Sequence, residues 1–149
     1  VDRYSIENMK SVDAPLVLSV SGRCFSIAPP LSDKAVLGMP TKSLIRRYIQ
    51  SSERTLPLYI LENIGETERY TYVLPDRFME TPFFHEEEIS CRFGKARIRI
   101  EKRKGSAQVH MTKEVTMGAV RIDPEHYKEF LEFCMKLSEA EQRNVVIAR

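Results

Sequence analysis

The stretch Asp123-Pro124-Glu125-His126-Tyr127 constrains the fold most, because it starts the only long helical pattern in the chain. Asp is a common N-cap residue, since its carboxylate can accept backbone N–H bonds of the first turn. Pro fits the first helical position, where its missing N–H would be unpaired anyway. The sequence before this start is strand-like and punctuated by turns. We therefore predict a β-rich body that is closed by one C-terminal helix.

The helix that follows is predicted to be amphipathic. Its apolar residues recur every three or four positions: Tyr127, Phe130, Leu131, Cys134 and Leu137. Glu129, Glu132 and Lys136 fall on the opposite side. We expect the apolar side to pack on the sheet, Asp123 and Glu125 to serve as capping and helix-dipole residues, and Val145-Val146-Ile147 to form a short apolar tail.

Alternation of apolar and polar residues predicts several strands before the helix. They cover residues 16–27, 54–61, 68–74, 86–93, 95–104 and 108–122. Proline and glycine mark the breaks between them. These breaks are Pro29-Pro30, Asn63-Ile64-Gly65-Glu66, Pro75-Asp76, Thr81-Pro82 and Lys104-Gly105-Ser106. Residues 31–53 give the weakest pattern: Leu44, Ile45, Tyr48 and Ile49 have helical spacing, but their strand propensity favours extended structure.

The fold class predicted from this pattern is mostly β: an antiparallel β-sandwich with one C-terminal α-helix packed on it. Frequent turn signals without alternating helices favour antiparallel over parallel sheets. With 149 residues the chain has the length of a single domain, residues 1–149. Because it begins at Val1 without Met or an apolar leader, we expect it to be excised from a longer multidomain chain.

Charge and cysteine content exclude little by themselves. The net charge of +2 is too close to balance to indicate a nucleic-acid partner, and no apolar run is long enough to predict insertion into a membrane. The three cysteines, Cys24, Cys91 and Cys134, cannot all pair within one chain and form no C-x-x-C motif. Their disulfide state stays open. We expect no metal and no cofactor, since the six glycines are isolated and His and Cys do not cluster.

A Cys–His nucleophile pair is the enzyme hypothesis to test. His85 and Cys91 would share a strand face about 20 Å apart, and His126 and Cys134 would lie about 12 Å apart along one helix. A cross-strand pair of Cys91 with His110 remains open, but no motif supports it. We therefore predict no catalytic residue in this chain.

The densest basic cluster comprises Lys95, Arg97, Arg99, Lys102, Arg103 and Lys104. A groove for single-stranded nucleic acid would need interleaved aromatic residues, and only Phe93 lies nearby. We interpret the cluster as a solvated strand face, which Glu86-Glu87-Glu88 and Glu101 neutralise by cross-strand pairing. The same acidic run after His85 is interpreted as a solvated edge and not as a cation site.

Four short motifs and the chain ending resemble a known family. They are Asp13-x-Pro15-Leu16, Arg54-x-x-Pro57-Leu58, Leu74-Pro75-Asp76, Asp123-Pro124-x-x-Tyr127-x-x-Phe130 and a helix followed by Val145-Val146-Ile147. The pattern resembles the domain of unknown function that lies C-terminal to the transglutaminase-like (papain-fold) core in multidomain bacterial cell-envelope proteins. Residues 31–53 depart from it.

The resemblance implies a β-sandwich accessory domain, exported to the periplasm or cell envelope, beside a cysteine-dependent peptidase or amide-transfer core. The catalytic Cys-His-Asp of such proteins belongs to the preceding domain, so no catalytic residue is carried over. The leading hypothesis is a non-catalytic interaction module whose partner is that core. It predicts an apolar surface patch where the core would sit.

Two alternatives belong to other functional classes. A carbohydrate- or peptide-binding sandwich would expose clustered aromatic residues, with Tyr48, Tyr59, Tyr70 and Tyr72 as candidates. Alternating tyrosines of this kind are more often half-buried in a sheet. The third hypothesis is an independent thiol-dependent enzyme built on one of the three cysteines.

Overall fold

The computed structural model describes residues 3–10, 13–14, 17–21, 33–40 and 42–148. Within these ranges, ten strands and one α-helix follow one another: β1 Arg3–Glu7, β2 Val17–Ser21, β3 Lys34–Leu37, β4 Leu58–Ile60, β5 Ile64–Val73, β6 Phe83–Cys91, β7 Gly94–Lys102, β8 Gln108–Met117, β9 Val120–Ile122, α1 Pro124–Gln142 and β10 Val145–Ala148. Two short 3₁₀ helices, Leu44–Tyr48 and Asp76–Phe78, lie in the connections.

The largest sheet has the strand order β5-β8-β7-β6, and every pair in it is antiparallel. Side chains alternate strictly between its two faces. Its inner face is buried and includes Met111, Val115, Ile98 and Ile100. Its outer face carries mainly charged and hydroxyl side chains. This alternation is the one that the sequence predicts for β7 and β8.

Three two-stranded antiparallel ribbons complete the strands: β1 with β2, β3 with β10, and β4 with β9. The last two ribbons share one hydrophobic core with α1 and the inner face of the sheet, through Ala35, Leu37, Leu58, Ile60, Ile122, Val145 and Ile147. The predicted class is confirmed: the described chain is mostly β, its sheets are antiparallel, and its single α-helix is C-terminal.

The helix begins at Pro124 as predicted, and Tyr127, Phe130, Cys134 and Leu137 of its apolar side are buried. The prediction that the Asp123 carboxylate caps the helix is wrong. Asp123 holds the N-cap position, but its side chain makes no capping hydrogen bond. Its Oδ1 instead accepts from Arg121 Nε at 2.9 Å. A guanidinium two residues away is a stronger, charge-assisted donor than a backbone amide.

Local structure differs from the prediction between residues 44 and 66. Residues 44–48 form a 3₁₀ helix and not an extended segment, because Ser43 Oγ accepts from Ile45 N at 3.4 Å and Ile45 is fully buried. The predicted strand 54–61 shrinks to Leu58–Ile60. The predicted turn at residues 63–66 is wrong beyond Asn63, because β5 already begins at Ile64, opposite Met117 of β8.

Other boundaries shift by a few residues. The strand predicted at 86–93 is β6, Phe83–Cys91, and the one predicted at 108–122 is divided at Gly118-Ala119 into β8 and β9. The hairpin turn at Gly105 is confirmed by its positive φ of 77°. The predicted strand 16–27 is present as β2 over Val17–Ser21, while Leu16, Cys24 and the Pro29-Pro30 break lie outside the described residues.

The apolar tail is a strand that the sequence did not reveal. Val145, Val146 and Ile147 pair with Leu37, Val36 and Ala35 of β3, more than 100 positions earlier in the chain. Val145 and Ile147 point into the core, and Val146 points out. The C-terminal residues therefore close the core of the domain.

We predict that Ile147→Ala lowers the free energy of unfolding by about 2–4 kcal/mol, because a side chain that is 1% exposed leaves a cavity in the core. Val146→Ala is the matched control: its side chain is 48% exposed on the same strand, and the expected loss is under about 1 kcal/mol. Urea unfolding of both variants checks the prediction, and equal losses would contradict the docking of β10.

Candidate functional surfaces and a buried ion cluster

The structure does not bring Cys91 and His110 together. Cys91 ends β6 on the inner face, where it pairs with Gly94, whereas His110 lies exposed on β8 opposite Glu101. The His110 ring contacts Thr71 Oγ1 at 3.2 Å on the outer face. The two side chains are thus on opposite faces of the sheet and near opposite ends of β7.

Cys134 does not have the properties of a nucleophile either. Burial, together with the electrostatic effect of Cys91, raises the pKa of Cys134 to about 12. The thiolate is the reactive form of cysteine, so almost none is present at neutral pH. Cys91 and Cys134 are both free thiols. Across the residues that the structure describes, no group of His, Cys, Asp and Glu is arranged to hold a metal ion.

The outer face of the sheet carries the predicted solvated basic strand. Arg97 Nη2 lies 2.7 Å from Glu86 Oε1, and Arg99 Nη2 lies 2.9 Å from Glu101 Oε2. The hydrogen bond that Arg97 donates to Glu86 raises the pKa of Arg97, and the hydrogen bonds that Glu101 accepts from Arg103 and Arg99 lower the pKa of Glu101. The predicted cross-strand neutralisation is confirmed for Glu86 and Glu88, which pair with Arg97 across β6 and β7. Glu101 instead pairs along its own strand, with Arg99 and with Arg103 just after it.

Two residues that were predicted for this solvated outer face, Lys102 and Glu87, lie on the inner face instead. Lys102 is buried on the inner face, and its ammonium donates to the carbonyls of Met79 and Thr81 at 3.1 and 2.8 Å. Glu87 also lies on the inner side of β6, where its carboxylate meets Arg143 Nη1 at 2.9 Å. Both departures follow from the period of two along a strand, which sends neighbouring residues to opposite faces.

A shallow cleft of about 350 Å³ opens on the outer face. Its lining mixes both signs of charge: Arg69, Arg97, Arg99, Glu101, Thr112 and Glu114. A nucleic-acid groove would concentrate positive charge along its length. This cleft therefore resembles the rest of the outer face, a charge-balanced surface.

The four candidate tyrosines do not form an aromatic platform. Tyr70 and Tyr72 are half-buried on the inner side of β5, and the Tyr72 hydroxyl donates to Gly38 O at 2.6 Å. Tyr48 is also half-buried against the core, and only Tyr59 is exposed, with Arg121 over its ring. The half-buried interpretation of Tyr48, Tyr70 and Tyr72 is confirmed.

The most unusual arrangement in the interior is an ammonium group surrounded by three carboxylates. The Lys113 side chain is 0% exposed, and its Nζ lies 2.8 Å from Glu66, 3.1 Å from Glu68 and 3.2 Å from Glu141. Lys113 stands at the centre of β8, Glu66 and Glu68 on β5, and Glu141 at the end of α1. We call these four residues the Lys113 cluster.

The Lys113 cluster also binds the chain around Ser43. Ser43 N donates to Glu141 Oε1 at 2.8 Å, and Ser43 Oγ donates to Glu66 Oε2 at 2.8 Å. The same Glu66 oxygen accepts from Leu44 N at 3.0 Å, at the start of the first 3₁₀ helix. The cluster thus joins four segments that are distant in sequence.

Lys113 is held in its charged form. Burial lowers the pKa of Lys113, but hydrogen bonds to Glu66 and Glu68 and the charges of Glu141 and Glu66 outweigh it, so the pKa is raised above the ordinary 10.5. A lysine nucleophile or base requires the opposite shift. The sequence placed Lys113 on the face of Val109, Met111 and Val115, but its partners come from distant segments and carry no local signal.

The ribbon formed by β1 and β2 presents an exposed apolar face. Directly opposed residues of an antiparallel pair share a face, and Ile6 lies opposite Leu18. Tyr4, Ile6 and Leu18 on this face are 70%, 41% and 62% exposed. The opposite face is mainly polar: it carries Arg3, Ser5, Glu7 and Ser19, with Val17 as an apolar member. We call the first surface the ribbon face.

These features define an antiparallel β domain with a C-terminal helix, a buried ion cluster and an exposed apolar ribbon. The family model described as "Domain of Unknown Function with solved-structure structure (DUF3858)" matches residues 34–147. The chain belongs to this family. No curated protein matches the chain.

One similar solved structure is the crystal structure of a "putative protease" from Parabacteroides distasonis ATCC 8503. It matches with a TM-score of 0.62 at 16% sequence identity, over 83% of this chain and 24% of that chain. At this identity the likeness establishes the fold alone. The chain thus spans about a quarter of the length of that protein. In the part of the chain that the structure describes, no helix is long and apolar enough to cross a membrane.

We predict that Lys113→Met lowers the free energy of unfolding by about 3–5 kcal/mol, because it leaves the buried Glu141 carboxylate and the half-buried carboxylates of Glu66 and Glu68 without their cation. Adding Glu66→Gln, Glu68→Gln and Glu141→Gln to it should restore part of the loss. Lys95→Met, on the exposed face of β7, is the control and should change stability by less than about 0.5 kcal/mol. Chemical denaturation measures all three. A Lys113→Met loss no larger than that of Lys95→Met would contradict the cluster.

The raised pKa of Lys113 also predicts how stability depends on pH. A cation whose folded pKa lies above its unfolded value contributes its full stabilisation below the unfolded pKa and loses it as pH rises through the folded pKa. The contribution should therefore be constant up to about pH 10 and decline above about pH 10.5. The free energy of unfolding in urea is measured at each pH for the wild type and for the variant that replaces Lys113 and its three glutamates. The difference between the two values isolates the contribution of the cluster. A difference that grows with pH would contradict the assignment.

Proposed function

We propose that this chain is a non-catalytic accessory domain of an exported cell-envelope protein, docked on a transglutaminase-like (papain-fold) domain of the same longer polypeptide. The observation that carries the proposal is the ribbon face. The motif pattern that ends in Asp123-Pro124 and Val145-Val146-Ile147 supports the identity of the partner, by its resemblance to domains that accompany such cores.

The ribbon face calls for a covering partner on physical grounds. A two-stranded ribbon is at best marginally stable in water unless its apolar face packs against another layer. Tyr4, Ile6 and Leu18 together offer such a face, and large exposed apolar side chains in one patch mark interaction sites. The ribbon also lies outside residues 34–147, the part of the chain that the family model matches. It is thus available as a connection between this domain and its neighbour.

The chemistry of the interior favours a binding role over catalysis. Cys134 is a buried thiol with a raised pKa, and Lys113 is a buried cation that is paired with three carboxylates. A hydrolase or amide-transfer reaction needs an activated nucleophile with a base beside it. In the proposal, the companion domain supplies its own Cys, His and Asp, and this domain positions or covers it.

The similarity to a longer protein named as a putative protease fits this division of labour. The present fold accounts for only 24% of that chain, which leaves room for other domains in it. Transfer of a role from that protein is an analogy at the level of fold. It supports a place for this domain beside peptide-bond chemistry.

We predict that hydrogen exchange of the backbone amides in β1 and β2 is at least about tenfold slower in the full-length protein than in the 149-residue chain, because the companion covers the ribbon face. Ile6→Ser with Leu18→Ser should abolish this protection, whereas Ser5→Ala with Ser19→Ala on the polar face should preserve it. Equal exchange in the two proteins, or unchanged activity of the full-length protein after deletion of this domain, would overturn the proposal.

A further inference from the structure

The last strand residues of β6 run antiparallel along α1, and two ion pairs fix their register. Arg92, just after β6, pairs with Glu129 through Nε and Oε2 at 2.7 Å. Five residues earlier on the strand, Glu87 pairs with Arg143 just after the helix, at 2.9 Å. The strand distance between these anchors is about 17 Å, and the helix distance is about 21 Å. Because the two lengths are similar, β6 and α1 run side by side between the two ion pairs.

This register places Cys91 opposite Cys134. Phe93 packs edge-on against Phe130 with ring centroids 6.5 Å apart. Cys91 lies two residues before Phe93, about 6–7 Å back along β6. Cys134 lies one helical turn after Phe130, about 6 Å further along α1 and in the same direction. Cys91 lies on the inner face of β6, and Cys134 belongs to the core on the side of the helix that meets it. The electrostatic effect of Cys91 on Cys134 agrees with this proximity.

The two thiols differ in access to solvent. Cys91 lines an open groove of about 600 Å³ at the end of the sheet, together with Phe93, Gly94 and Met117. Phe93 N donates to Cys91 Sγ at 3.4 Å, which holds the sulfur at this position. Cys134 is fully buried behind it. A small oxidant would therefore reach Cys91 first. Among the described residues Cys134 is the other thiol, and its raised pKa makes its attack on oxidised Cys91 slow at neutral pH and faster as the pH rises.

We propose that Cys91 and Cys134 form an oxidisable pair whose disulfide joins β6 covalently to α1. With a peroxide as oxidant, the two thiols lose two protons and two electrons, an S–S bond forms, and the O–O bond breaks to give two waters. The bridge closes a loop between residues that are 43 positions apart. Such a constraint stabilises a domain mainly by restricting its unfolded chain. The pair needs no companion domain, so it is independent of the proposed function.

The test uses the Cys24→Ser variant of the chain, which leaves only the two thiols in question. After treatment with hydrogen peroxide at about pH 9, where a larger fraction of the Cys134 thiol is ionised than at neutral pH, the protein is denatured, alkylated and weighed by mass spectrometry. We expect a loss of 2 Da, no alkylated cysteine, and a peptide containing the Cys91–Cys134 bridge. The oxidised form should melt about 10 °C higher than the reduced form, and adding Cys91→Ser or Cys134→Ala should abolish both changes.

Three results would overturn the proposal. Two alkylated thiols after oxidation would mean that the side chains cannot meet. A disulfide between two copies through Cys91 would mean that the groove admits another molecule more readily than it admits Cys134. Sulfinic acid at Cys91 with Cys134 still alkylated would mean that the buried thiol does not resolve the oxidised one. Because Cys91→Ser changes a half-buried residue, it keeps the test valid even if Cys134→Ala fails to fold.

Discussion

The rest of the domain depends on the buried charge of Lys113. An isolated ammonium in the interior would be strongly unfavourable, and three carboxylates offset this only because they converge within hydrogen-bond distance. Removing one partner of such a group usually destabilises far more than replacing the whole group with apolar residues. The cluster is thus better understood as a device that specifies one arrangement of segments than as a source of net stability.

The Lys113 cluster fixes both the register of β5 against β8 and the position of α1. Glu68 lies directly opposite Lys113 across β5 and β8, and a slip of one residue would turn every side chain of β5 to the other face. Glu141 fixes the end of α1 to the same point, while Arg92–Glu129 and Glu87–Arg143 align the helix along β6. The facing positions of Cys91 and Cys134 follow from these constraints.

Sequence reasoning recovered what depends on local periodicity. The alternation in β7 and β8 and the spacing of Tyr127, Phe130, Cys134 and Leu137 identified the faces that are buried. It failed where a distant partner decides the outcome. Val145–Ala148 becomes a strand only because Lys34–Leu37 lies beside it, and the segment at Leu44 turns because Glu66 and Glu141 hold Ser43 and Leu44.

The same limit applies to charged residues. Lysine is usually a surface residue, but Lys102 and Lys113 are buried. Only their alternating positions along the strands indicate that they face the core. Their partners are backbone carbonyls at 79 and 81 in one case and carboxylates at 66, 68 and 141 in the other. No spacing rule relates these positions. The fold class was therefore predictable, and the ion cluster was not.

The outer face of the sheet and the ribbon face differ in what a partner would have to displace. On the outer face, Arg97 and Arg99 are already paired with Glu86 and Glu101, so that burying this surface would desolvate groups that gain no better partners. On the ribbon face, Ile6 and Leu18 offer apolar area whose removal from water is favourable at about 25 cal/mol per Å². The physical chemistry of docking therefore favours the ribbon face, and the charged outer face is suited to keeping the sheet soluble and unpaired.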